Sequence, residues 1–256
     1  MKSRHLESWF GSMRNVVVTG GSRGLGLGIA QKLAASGFRV VAIARKTSDQ
    51  LDKAMAEATS GDPGSLHFWP SDLADIPALP CLVKTLRSEF GPIYGLVNNA
   101  GIGTAGILAN MKDTDIEGLI RLNVLMPIML TKYIVRSMMS ANSGRIVNIS
   151  SIVSHTGYSG LAAYSASKAS MLGFTRSLAR EVGPIGITVN AILPGFINTE
   201  MTHALSPVDR TKIERRSALH RMPEIDDVAN LVDYLFTEKA RNITGASMTV
   251  DAGNTA

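Results

Sequence analysis

"NVVVTGGSRGLG", residues 15–26, is the stretch on which the fold turns. Its run of valines reads as a short buried strand. The strand ends in glycine at Gly20, and further glycines follow at Gly24 and Gly26. "GLGLGIAQKLAASG", residues 24–37, then reads as a helix with Gly37 just past its end. Strand, glycine turn and helix in direct succession open a βαβ unit. Glycine permits the tight turn and lets backbone N–H groups at the helix N-terminus approach a pyrophosphate. The spacing here is GxxxGxG, which differs from the usual dinucleotide fingerprint GxGxxG. An ordinary βα turn would look similar; the position after the first strand favours the phosphate loop.

Working outward, the same alternation continues. Strands are expected in "FRVVAIAR", "SLHFWPSDL", "IYGLVNNAG", "GRIVNISS", "GITVNAILPG" and "SMTVDAG". Between them lie helical stretches: "SDQLDKAMAEA" capped by Ser48 or Asp49, "ALPCLVKTLRSEFG", an apolar helix over roughly residues 121–140, and "AAYSASKASMLGFTRSLAREVG". Strands alternating with helices imply a parallel sheet covered on both faces by right-handed crossovers. The expected fold is therefore α/β, a Rossmann-type doubly wound parallel sheet of about seven strands. It forms one domain over residues 14–256, preceded by a flexible extension at 1–13. Ligands of such sheets bind beyond the C-terminal strand ends. Four of those ends carry "TGGSRGLG", "NNAG", "ISS" and "LPGFINTE".

Composition narrows the classes. The 256 residues are 45% hydrophobic and 18% charged, which fits a globular chain with a sizeable core. A single cysteine, Cys81, leaves no internal disulfide and favours a reducing, cytoplasmic setting. The net charge of +5 is scattered and makes no nucleic-acid stripe. The most apolar stretch, "LIRLNVLMPIML", is interrupted by Arg121 and Pro127 and reads as too short to span a membrane. The five histidines show no metal-ligand spacing, so no metal is expected.

Nucleotide choice is read at the end of the second strand, where an NAD site places a carboxylate for the ribose hydroxyls. Here Ala44 stands at that spot with Arg45 next, and Arg23 lies inside the first loop. Two arginines without a carboxylate favour the 2′-phosphate of NADP(H).

In "AYSASKAS", Tyr164 and Lys168 lie one helical turn apart among small residues. A free phenol has a pKa near ~10, and a neighbouring cation would favour its ionised form. The set "TGGSRGLG", "NNAG", "ISS", "YSASK" and "PGF", in this order, resembles the short-chain dehydrogenase/reductase family over residues 14–253. Within it, "YSASKASMLGFTRSLAREV", "ITVNAILPGFINTEMT" and "ITG" most resemble the 3-oxoacyl-[acyl-carrier-protein] reductases. The resemblance implies a catalytic tetrad of Asn123, Ser151, Tyr164 and Lys168. Ser151 would bond the substrate carbonyl, Tyr164 would protonate it, Lys168 would hold the cofactor ribose, and Asn123 would support a water bridge to the lysine.

It also implies cofactor contacts from Gly20, Ser22, Arg23, Gly24, Leu25, Gly26 and Arg45, and from Asp72 and Leu73 at the adenine. Asn99, Ala100 and Gly101 would line the cofactor beside Tyr164 and Lys168, and Pro194, Gly195, Ile197 and Thr199 would flank the nicotinamide. For Asp72 a helix N-cap is locally as good a reading. A mobile substrate lid is implied over about 197–222, and a homotetramer paired through helices near Arg121 and Ala162. The reaction implied is NADPH-dependent reduction of a ketone, with a 3-oxoacyl thioester the leading substrate. The alternatives are a reductase or dehydrogenase for another carbonyl or alcohol (steroid, sugar or xenobiotic), and a nucleotide sensor without turnover. The related reductases dock acyl-carrier protein on two arginines beside the active-site mouth. Those positions hold Asn142 and Ile185 here, so weakened docking is expected, with Arg145 or the lid cations Arg210, Lys212, Arg215 and Arg216 as the available substitutes.

Overall fold

The computed structural model describes residues 13–61, 63–197 and 206–256. β1 (Asn15–Thr19), β2 (Arg39–Ala44), β3 (Ser65–Pro70), β4 (Ile93–Asn98), β5 (Gly144–Ile149), β6 (Ile187–Pro194) and β7 (Ser247–Val250) form one sheet in the order β3-β2-β1-β4-β5-β6-β7. Every pairing is parallel. The helices among the described residues are α1 (Gly24–Ala35), α2 (Asp49–Gly61), α3 (Leu79–Phe90), α4 (Asp113–Ile120), α5 (Met126–Ala141), α6 (Ala162–Val182), α7 (Pro207–Arg216) and α8 (Ile225–Phe236). The seven expected strands and their parallel, doubly wound arrangement are those observed.

The period-2 alternation of each strand divides its residues between two cores. Val16 and Val18 of β1, with Val40 and Ala42 of β2, pack under α1, α2 and α8. Val17, Val41 and Ile43 point the other way, onto α3, α5 and the end of α6. Buried on both faces, β1 carries polar side chains only at its two ends, Asn15 and Thr19. Ser48 caps α2, accepting from the Leu51 N–H at 3.1 Å, and its hydroxyl donates to the Ser22 carbonyl at 2.5 Å. The cap thereby ties the start of α2 to the glycine loop.

The apolar helix differs from expectation. It starts earlier, at Asp113, and runs through a π turn at Arg121–Leu125 into α5. The whole run to Ala141 is 29 residues, long and apolar enough by composition to cross a membrane, contrary to the shorter stretch read from sequence. One face of it is committed to the core: Leu119, Met126, Leu130, Ile134 and Met138 are buried, the last four beneath the sheet, while Ile120, Leu125 and Met139 are exposed.

Candidate active site

The expected site residues gather along the C-terminal edge of the sheet. β1 ends in Thr19, whose buried hydroxyl donates to the Val97 carbonyl (3.3 Å) and accepts from the Asn99 and Ala100 N–H groups (2.9 Å each). Asn99 returns the link, donating to the Thr19 and Gly20 carbonyls at 2.9 and 3.3 Å. These bonds lash the glycine loop to the segment after β4. Gly20 sits at φ +67°, and a Cβ on Gly26 would run into the Gly20 carbonyl and the Asn99 amide. The N-terminus of α1, headed by Arg23, has no side-chain cap and no acidic residue in its first turn. Its orphan N–H groups and positive dipole end are left for an anion. Ser22, through its carbonyl, and Leu25, packed against the core under α1, are structural parts of this loop.

Arg23 and Arg45 are both exposed, one in the loop and one just past β2. Beyond β3, Asp72 is exposed and accepts from the Ala74 N–H at 3.0 Å, a turn bond two residues on and not the N-cap that sequence allowed. Leu73 is buried. Pro194 closes β6, and the Gly195 N–H donates to the Val250 carbonyl at 2.9 Å. Ile197 is buried among the residues beneath α1 and α8. Thr199 lies outside the described residues, as do residues 1–12 of the proposed extension and 198–205 of the proposed lid.

Asn123, Ser151, Tyr164 and Lys168 converge at the ends of β4 and β5. Lys168 is buried, and its Nζ donates to the Ile149 carbonyl at 3.0 Å. It lies 5.8 Å from the Tyr164 ring centre. Tyr164 shares a hydrogen bond with the Ser151 side chain. Asn123 sits inside the π turn, only 3% exposed. Its Oδ1 accepts from the Ile102 N–H, and its Nδ2 donates to the Ile102 carbonyl, each at 2.9 Å. Nδ2 also donates to the Ser167 hydroxyl at 3.1 Å. The Asn123 side chain is thus fully engaged in clamping the loop after β4 to α6. A Cβ at Gly101 would come within 3.0 Å of Asn123 Oδ1 and 3.5 Å of Lys168 Nζ, so this position holds the pair open. π turns widen a helix by one residue and recur at functional sites.

Electrostatics depart from the sequence expectation. Burial pushes the Tyr164 phenol above its ordinary value, and the Ser151 bond offsets this only in part. Burial likewise lowers Lys168 from the usual amine range to about 8. The reason is shared: both groups are desolvated, which disfavours each charged form. Sequence reasoning also missed three supports. Thr19 is one. Ser150 donates to the Lys168 carbonyl at 2.8 Å, and Ser167 donates to the Tyr164 carbonyl at 2.7 Å. The small polar residues of "ISS" and "YSASK" were the available signal; Ser150 acts on a residue 18 positions away, too far to be read from spacing, while Ser167 acts one helical turn back.

The two carrier-docking positions stand apart from the tetrad within the protomer. Asn142 caps α5 in a left-handed conformation just before β5, and Ile185 ends the turn just before β6. The two lie close together, since a Cβ on the neighbouring Gly186 would meet the Asn142 carbonyl at 3.1 Å. Both are at the N-terminal ends of β5 and β6, while Ser151 follows the C-terminal end of β5. Six residues of strand, about 20 Å, separate the two places within a protomer. Arg145 is no substitute: it is 4% exposed and donates to the Gly144 carbonyl (3.0 Å) and Glu238 (3.1 Å).

The comparisons agree with this geometry. The short chain dehydrogenase family model matches residues 14–209, and the chain belongs to that family. It is 39% identical over 237 residues to the 3-oxoacyl-[acyl-carrier-protein] reductase FabG of Escherichia coli, covering 93% of this chain and 95% of the relative. The FabG of Staphylococcus aureus is 35% identical over 240 residues, covering 94% and 97%. Among solved structures, a variant of a Serratia marcescens short-chain dehydrogenase/reductase superposes with a TM-score of 0.87 at 32% identity, covering 95% of this chain and 98% of that one.

Proposed function

We propose that this oxidoreductase uses NADPH to reduce a ketone to a secondary alcohol, with a short 3-oxoacyl thioester as substrate. The observation that carries the reading is the Ser151–Tyr164–Lys168 cluster beside an uncapped α1 N-terminus. The loop fits a dinucleotide: glycines where side chains would clash, and free N–H groups at a helix end. Gly20, Ser22, Gly24, Leu25 and Gly26 would hold the pyrophosphate, Arg23 and Arg45 the 2′-phosphate, and Asp72 and Leu73 the adenine. Asn99, Ala100, Gly101, Pro194, Gly195, Ile197 and Thr199 would flank the nicotinamide and its ribose. Bound there, the nicotinamide supplies a hydride to the ketone carbon.

The protein's own residues supply the rest. Ser151 aligns the carbonyl oxygen beside the Tyr164 hydroxyl, and that hydroxyl delivers a proton as charge develops on the oxygen. Lys168, held by the Ile149 carbonyl, bonds the ribose and places a positive charge where phenolate would form. Asn123 keeps the loop, α6 and Lys168 in register. α7 and residues 197–222 serve as the substrate lid. The exposed Ala162, Ala166 and Ala169 on α6 and the exposed Ile120 and Leu125 beside α5 support pairing into a homotetramer.

The test is NADPH oxidation with acetoacetyl-coenzyme A and a panel of unrelated ketones, with NADH as comparator. Turnover of the thioester with NADPH preferred is expected. Tyr164→Phe removes the proton donor alone and should lower kcat by about 10²–10⁴-fold while the cofactor still binds. Turnover only of other ketones would move the substrate assignment, and near-normal turnover by the variant would overturn the role of Tyr164.

A further inference from the structure

The last six residues lie where three parts of the proposed substrate cleft meet. Asn254, 4% exposed, donates through Nδ2 to the Ile213 carbonyl and the Ser217 hydroxyl, each at 3.2 Å. Ile213 belongs to α7 and Ser217 ends it. On its other side, Asn254 Oδ1 accepts from the Tyr158 hydroxyl at 3.4 Å. Tyr158 stands between Ser151 and Tyr164 in the chain, on the segment that joins β5 to α6. That ring meets Phe196 edge-on at 5.9 Å, and Arg216 of α7 lies 5.9 Å above it.

The turn that carries Asn254 is itself rigid. The Asp251 carboxylate accepts from the Gly253 N–H (2.9 Å), the Thr255 N–H (2.8 Å) and the Thr255 hydroxyl (2.6 Å). Backbone N–H groups of Ala218 and Leu219 donate to the Gly253 and Ala252 carbonyls. Gly195 packs directly on Asp251. A buried amide is needed at Asn254 because one side must accept and the other must donate; no apolar or purely acidic side chain does both.

We propose that Asn254 is a positioning residue for the ketone: it holds α7 and Tyr158 at a fixed separation and so sets the width of the substrate cleft between them. The inference rests on the reductase reading above for its substrate. It predicts a signature on the ketone and none on the nucleotide, because among the described residues the Asn254 side chain bonds Tyr158, Ile213 and Ser217, none of them assigned to the cofactor.

The experiment compares wild type with Asn254→Leu, similar in size and unable to hydrogen-bond, and with Tyr158→Phe. Steady-state kinetics with acetoacetyl-coenzyme A should show KM raised roughly tenfold in Asn254→Leu, the scale of one or two lost hydrogen bonds, with kcat and the NADPH Kd within about twofold. Tyr158→Phe should raise KM in the same direction, and the double variant should be less than additive. Hydrogen exchange gives a readout that needs no turnover: amides of residues 207–216 should exchange faster in Asn254→Leu while those of β5 do not change. Unaltered exchange in α7, or unaltered KM in either folded variant, would overturn the proposal. If Asn254→Leu does not fold, Tyr158→Phe alone decides through KM. Wild type that reduces no thioester, with α7 loosened in the variant, would instead remove the substrate assignment and leave the clasp standing.

Discussion

At the scale of the residue, Lys168 holds the most consequential conflict. An ammonium is wanted beside Tyr164, yet burial lowers its pKa from 10.5 to about 8. The unfolded lysine therefore binds more protons than the folded one between those two values, and stability rises with pH across that window. Below about pH 8 the folded protein carries the full cost of the buried charge, on the order of 3 kcal/mol. Urea unfolding at pH 7 and pH 10 should show this gain in wild type relative to Lys168→Met, which has no proton to lose there. An identical pH response in both would show that Lys168 is not desolvated as its position indicates. The role proposed for Arg45 needs only one residue at one strand end. Arg45→Asp places a carboxylate there, and the ratio of kcat/KM for NADPH to that for NADH should fall by at least about tenfold. An unchanged ratio would remove Arg45 from the nucleotide site. Thr19 and Ser150 were not legible, since each acts on a backbone group distant in sequence, and Ser167, which donates to Tyr164 in its own helix, was not legible as the acceptor of the distant Asn123 amide.

At the scale of the element, the glycine loop and the π turn behave differently under sequence reading. The loop announces itself through glycine spacing, and its bonds explain which glycine matters. A methyl on Gly26 would overlap the Gly20 carbonyl, which is backbone and cannot swing aside, whereas a methyl on Gly24 meets nothing within 4 Å and faces only the strain of φ +54°. Gly26→Ala should thus cost more stability than Gly24→Ala: Gly26 is in ordinary helical backbone and carries the overlap, about 3 kcal/mol against unyielding backbone, whereas Gly24 carries only left-handed strain of about 1–2 kcal/mol. It should also weaken NADPH binding, read by fluorescence titration, because the shift propagates to Asn99. Equal effects of the two substitutions would mean that the loop does not pack as described. The π turn at Arg121–Leu125 gave no such signal. One extra residue in one turn leaves apolar periodicity almost unchanged, so the helix expected over roughly residues 121–140 carried no mark of it. Only the clamp on Ile102 shows why the helix widens at Asn123.

At the scale of the molecule, the parallel, doubly wound sheet followed from alternation and crossover handedness, because each βα unit constrains only its neighbour. Relations between distant surfaces carried no comparable rule, and the distance of the carrier-docking positions from Ser151 within a protomer was not readable for that reason. Asn142 and Ile185 share one corner of the protomer, at the opposite end of β5 from Ser151. Neither is cationic, and Arg145 in the same strand is buried against Glu238. On the cleft side, the α7 cations face their own carboxylates: Arg210 lies 4.0 Å from Glu214 and Lys212 lies 3.4 Å from Asp209. An acidic carrier therefore meets a lid whose positive charge is partly neutralised along one helix. Rim charges act mainly on association rate, and exposed pairs are screened by salt. The advantage of acetoacetyl-carrier protein over acetoacetyl-coenzyme A in kcat/KM should accordingly stay below about tenfold and change little between low and physiological salt. A larger preference that collapses with salt would show that Arg215, Arg216 and their neighbours steer the carrier despite this pairing. Charge reversal at Arg215 and Arg216 would then have to abolish the preference without altering kcat on the coenzyme A thioester.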